Sequence, residues 1–402
     1  SGYAGVVGGG YGNITQEYAS TISGGYLNRS SAPDATVGGG IFNVIRSSVN
    51  AICAAGATIG GGVFNNTAGG AWCVGGYVCS TPTCCYNAGQ VSTISGGYRN
   101  CALGVGSTVG GGFCNRATCF QSTVGGGVCN TANGTYQPTI GGGSANTASG
   151  TYMSTIAGGE ANTATGDLAA IGGGRNNTAS NTDTTIGGGR SNISSGNGST
   201  VGGGISNTAS GACSKVGGGN ANIASGASST LSGGYGSRTS GDYSTVSGGY
   251  QNCSTQCYTV VGGGYRNCAC AAISTIGGGQ SNLASGARAT IAGGRSNTSS
   301  GAYSFIGGGC ANTASGTCAT VGGGGSNISS GPSAFVGGGV SNTASGYFSV
   351  AVGGSNNCST GYMSTASGGY SQNAAANYST ISGVYNITAA GVGLATSGGN
   401  AN

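Results

Sequence analysis

Histidine is absent from this 402-residue chain, so the groups left for chemistry are six carboxylates and 17 cysteines. General acid–base work needs two titratable groups held close together. The carboxylates Glu17, Asp34, Glu160, Asp167, Asp183 and Asp242 fall at different places in the sequence pattern, and only Asp167 and Asp183 stand where stacking would bring two together. No catalytic site is expected from them. The glycine triplets imitate phosphate loops, but the Lys and Ser/Thr that complete such a loop do not follow them. Calcium-binding rolls carry an aspartate in each turn, which is missing here. The expectation is a protein without enzymatic activity, cofactor or metal. Many cysteines without histidine argue against zinc fingers and toward an oxidising, extracellular setting. Two pairs lie fifteen residues apart, Cys253 with Cys268 and Cys114 with Cys129. If that interval is one turn of a stack, their Cα atoms lie about 4.8 Å apart, within disulfide range. Both pairs are expected to be oxidised, and the odd total leaves at least one cysteine free or joined to another chain.

The element that would position these groups is a repeat. An aliphatic anchor followed by glycine recurs every fifteen residues at Val201, Val216, Leu231, Val246, Val261, Ile276, Ile291, Ile306, Val321 and Val336. A unit this small cannot bury a core alone, so the repeats must stack. The 93 glycines and 4% charged residues suit a disordered chain, but disorder does not require a β-branched anchor in strict phase. Collagen is excluded because glycine clusters in threes rather than standing at every third position. The pattern predicts an all-β fold, a parallel β-solenoid or β-roll of about 26 coils with two short strands per coil, forming one domain over 1–402.

Within a coil such as Ser199–Ser214, strand alternation sends Val201 and Ser199 inward and Thr200 outward; in the next strand Ala209 and Asn207 face in and Thr208 faces out. Gly202, Gly203 and Gly204 suit a turn with positive φ or close backbone approach. The asparagine six residues after each anchor, Asn207 and Asn222 among many, would form an internal amide ladder. The sequons at Asn192, Asn297 and Asn327 then read as by-products of that ladder. The phase slips at two insertions, near 44–58 and 77–91, the second after an apparent anchor at Val74 and containing Cys84 and Cys85; Trp72 lies between the two. On the outside, Tyr235, Tyr250 and Tyr265 share one position on consecutive coils, as do Tyr243 and Tyr258, giving aromatic ladders that would strengthen the turn or meet glycans, host matrix or a neighbouring rod. Arg175 and Arg190 stack likewise, a like-charge pair that costs a little unless an anion or partner is near.

The stretch Ser296–Gly316, SNTSSGAYSFIGGGCANTASG, resembles the head repeats of YadA-like trimeric autotransporter adhesins. The resemblance covers nearly the whole chain and implies a left-handed β-roll on a cell surface, although the stalk, neck and membrane-barrel segments of that family do not appear. A second resemblance, through NTASG at Asn207–Gly211, is to grass ice-recrystallisation inhibitors. The net charge of +5 is thinly spread, so no nucleic-acid partner is expected, and no apolar run is long enough to insert in a membrane. The leading expectation is a rod or filament subunit of an extracellular or surface fibre that mediates adhesion. Both ends fall inside repeats, which suggests head-to-tail self-assembly into a homopolymer or homo-oligomer. Ice binding is an alternative, because Thr185, Thr200, Thr230 and Thr245 form an outward row that Lys215, Phe305 and Phe335 interrupt. A viral or phage fibre shaft would share the same features.

Overall fold

A computed structural model of the chain describes residues 4–46, 54–67, 89–383 and 385–397. All regular structure among the described residues is β: 48 strands of two or three residues, with no helix. At two strands per coil they make a parallel β-solenoid of about 24 coils. The chain divides into two compact units, Ser1–Ser206 and Asn207–Asn402, each built from the same coil.

The second unit shows the coil at its most regular. Thr245–Val246 pairs in parallel with Val260–Val261, and that strand with Thr275–Ile276, each residue facing its counterpart fifteen positions on. The second strand of each coil pairs in the same way, Cys253 with Cys268 and Ser254 with Ala269. The backbone amides run from one coil to the next, Thr245 N to Thr259 O at 2.8 Å and Ser247 N to Val261 O at 3.0 Å. A strand of two residues closes no ladder of its own, so pairing between coils supplies the order. Strand alternation settles the faces. Val201, Val216, Leu231, Val246, Val261 and Ile276 are buried, and Ala209, Ala224 and Ala269 are buried in the second strands. The core is one aliphatic side chain against one small residue per coil, and its stability comes from repetition.

Two corners per coil turn the chain, and each demands left-handed backbone. The third glycine of the triplet is required: Gly264 has φ +94°, and a Cβ there would strike the carbonyl oxygen of Gly279 in the next coil. Other left-handed positions carry ordinary side chains, including Ser206, Arg266, Tyr258 and the β-branched Ile273 at φ 61°.

The coil count corrects the expectation of 26. Thr58–Ile59 pairs directly with Thr93–Ile94, so no further rung stands between these two strands; Val74, counted as an anchor in the sequence, lies outside the described residues. The first insertion is shorter than it reads in sequence, because Val44–Arg46 still stacks on Arg29–Ser31. Residues 47–53 and 68–88, with Trp72, Cys84 and Cys85, lie outside the described residues.

Candidate functional site

The internal amide ladder is the most repeated chemical feature of both units. In the second unit Asn267 donates its side-chain nitrogen to Gly263 O at 2.9 Å and to Gly279 O in the next coil at 2.8 Å. Its side-chain oxygen accepts from the backbone N–H of Asn282 at 3.0 Å, and its own N–H donates to the oxygen of Asn252. Asn222 repeats this pattern with Gly218, Gly234 and Asn207. Each amide therefore satisfies the glycine corner of its own coil and the backbone of the next. The sequons at Asn192, Asn297 and Asn327 belong to the ladder: all three are fully buried, and each nitrogen bonds two carbonyls. A glycan cannot sit on them in the folded chain.

Of the two expected cysteine pairs, Cys253 and Cys268 are joined, with Cα atoms 4.6 Å apart on adjacent second-row strands. Cys101 is also disulfide-bonded. Cys114 and Cys129 depart from the expectation. Their thiols are free. They stand at the left-handed corner, φ 55° and 56°, rather than in a strand. Burial pushes the Cys114 thiol up and the neighbouring Cys129 adds to this, while Arg99 pulls the other way.

The tyrosine ladder is formed as read from the repeat. Tyr235, Tyr250 and Tyr265 stack with ring centroids 5.1 and 5.0 Å apart, nearly parallel, and Tyr243 stacks on Tyr258 at 5.1 Å. Parallel stacking covers the ring faces and turns the hydroxyl edges to solvent, so the stripe offers phenol oxygens rather than flat platforms. Arg266 lies over the Tyr265 ring at 5.0 Å and donates to Gln251 at 2.9 Å. The charge of Arg175 beside Arg190 finds its partner one coil earlier, where Glu160 lies 3.4 Å from the guanidinium. Asp183 N donates to Asp167 O at 2.9 Å, so these acids are neighbours, but the Asp167 carboxylate accepts from Tyr152 N. No group of three or more potential metal ligands occurs among the described residues.

Two surfaces escaped the sequence reading, both in the first unit. One is a run of six rings on consecutive coils, Tyr11, Tyr26, Phe42, Phe64, Tyr98 and Phe113, with centroids 5.1 to 5.9 Å apart. It switches between two adjacent corner positions, which hides it from a fixed fifteen-residue phase. The other is an uninterrupted row of outward threonines, Thr21, Thr36, Thr58, Thr93, Thr108, Thr123, Thr139 and Thr155, paired rung to rung. Insertions disguise that row, because Thr36 meets Thr58 and Thr58 meets Thr93. In the second unit Lys215, Phe305 and Phe335 do stand exposed in the equivalent row, as expected.

No protein-family model and no curated protein matches the chain.

Proposed function

We propose that the chain is a non-enzymatic structural protein, a self-associating subunit of an extracellular or cell-surface fibre whose outer face serves adhesion. The observation that carries this reading is the amide ladder. Conserving the buried ladder position while the outward positions vary freely is what a structural stack requires. The Cys253–Cys268 disulfide supports placement in an oxidising compartment, and the resemblance to adhesin head repeats supports the surface role. Other copies of the chain, glycans and host matrix are the partners this reading names; nucleic acid and membrane insertion are not part of it.

A second reading is favoured by one observation, the eight-rung threonine row of the first unit. Its hydroxyls and methyls repeat at roughly 4.8 Å along a parallel sheet, a regular surface that would order water and adsorb to ice. One preparation separates the readings. Concentrated protein is followed by light scattering and electron microscopy, and the same stock is assayed for ice-recrystallisation inhibition. Concentration-dependent filaments without ice activity support the fibre subunit. Dispersed monomers that arrest recrystallisation, and lose that effect in Thr108→Lys, overturn it in favour of the ice-binding reading.

A further inference from the structure

We propose that Cys114 and Cys129 form a redox-responsive dithiol that closes to a disulfide between adjacent coils. Both residues occupy the left-handed corner directly before a ladder asparagine, with φ 55° and 56°, so their side chains leave the backbone in the same direction. The backbone holds them in step: Cys114 N donates to Tyr98 O at 2.9 Å and Cys129 N to Phe113 O at 2.8 Å. The ladder fixes the following residues, with Asn130 N bonded to the Asn115 oxygen at 3.1 Å. Residues in the same register elsewhere in this fold stand 4.6 Å apart at Cα and are bonded, as Cys253 and Cys268 show. That separation lies within the range a disulfide accepts.

The pair is asymmetric. Cys129 is exposed and Cys114 half-buried. Access therefore makes Cys129 the attacking thiol and Cys114 the resolving one. With a low-molecular-weight disulfide such as oxidised glutathione as the oxidant, the Cys129 thiolate attacks one glutathione sulfur. The S–S bond of the oxidant breaks, and one glutathione leaves as a thiolate that takes up the proton Cys129 lost. Cys114 then gives its proton to water and attacks the Cys129 sulfur, expelling the second glutathione, which is protonated in turn. Two protein thiols and one oxidised glutathione become one protein disulfide and two reduced glutathiones. Reduced glutathione in excess runs the exchange backwards. Closure would tie adjacent corners without moving the strands.

Serine fills the same corner at Ser191, Ser206, Ser281 and Ser296, so Cys114→Ser and Cys129→Ser preserve the backbone. The test equilibrates purified chain in buffers of graded reduced-to-oxidised glutathione ratio and maps the peptides by mass spectrometry under non-reducing conditions. The expected result is a Cys114–Cys129 cross-link that appears in the oxidised buffers and disappears in the reduced ones. Cys114→Ser accumulates glutathione on Cys129, at several times the rate at which Cys129→Ser accumulates it on Cys114. Thiols that stay free across the range, a cross-link that excess reduced glutathione cannot open, or a Cys114→Ser chain carrying no glutathione would each overturn the proposal.

Discussion

Ile273 shows how far the stack overrides the preference of a single residue. A β-branched side chain at φ 61° stands in a conformation that L-residues avoid, at a cost of about 1–2 kcal/mol. The amide of Ile273 is held by Cys257 O of the preceding coil at 3.0 Å, and its side chain is 45% exposed, so packing gives little in return. Asparagine tolerates this region and adds less unfolded-state entropy than glycine. Ile273→Asn is therefore expected to raise stability by roughly 1 kcal/mol, measured as a higher denaturant midpoint with an unchanged slope. The same override explains why these corners were invisible in the sequence. The positions that adopt left-handed backbone include Leu168, Tyr243 and Arg288, residue types that carry no turn signal. Coil-to-coil bonding imposes their φ, so local propensity does not mark them.

At the scale of the coil, the buried hydroxyls follow a rule. Where the inward residue of a second strand is serine and a hydroxyl stands five positions on, the two bond: Ser194 with Ser199, Ser254 with Thr259, Ser299 with Ser304 and Ser359 with Ser364, at 2.5 to 2.7 Å. Where that residue is alanine the hydroxyl can be stranded. Ser274, five residues after Ala269, and Ser349, after Ala344, are buried without a partner. Ala269→Ser should supply the missing partner and stabilise the coil by about 1 kcal/mol; a double-mutant cycle with Ser274→Ala measures the coupling, which vanishes if the hydroxyls do not meet. The anchors, the glycine corner and the asparagine row were legible because the core tolerates little at those positions, and Cys253–Cys268 was legible from phase alone. The coil count was overestimated because a valine before two glycines, as at Val74, has the sequence form of an anchor, and only the direct pairing of Ile59 with Ile94 shows that these two rungs are neighbours. The threonine row of the first unit was hidden for a related reason, since its neighbours lie 22 and 35 residues apart in sequence.

For the molecule as a whole, each unit behaves as a sum of coils coupled only to their neighbours, with the asparagine ladder as the coupling. Two natural substitutions within the second unit show what the ladder requires. Ser237 keeps the acceptor function, taking the N–H of Asn252 at 3.2 Å, whereas Gln372 keeps only a donor bond, to Gly383 O, and its side-chain oxygen is buried without a partner while its backbone N–H donates to Asn357. Replacing Asn267 by alanine would leave the carbonyl of Gly263 and the N–H of Asn282 without their partner and take one of two donors from Gly279 O, which keeps Tyr265 N, at a cost of roughly 2–3 kcal/mol in all. Asn267→Ser should recover part of that through the acceptor. The most direct measurement is hydrogen exchange resolved by residue in the wild type, Asn267→Ala and Asn267→Ser. The prediction is loss of protection confined to the coils around residues 252–282, smaller in the serine variant, with residues 320–350 protected as before. Unchanged protection around Asn267, or protection lost evenly across the second unit, would contradict the claim that the ladder holds the coils together one neighbour at a time.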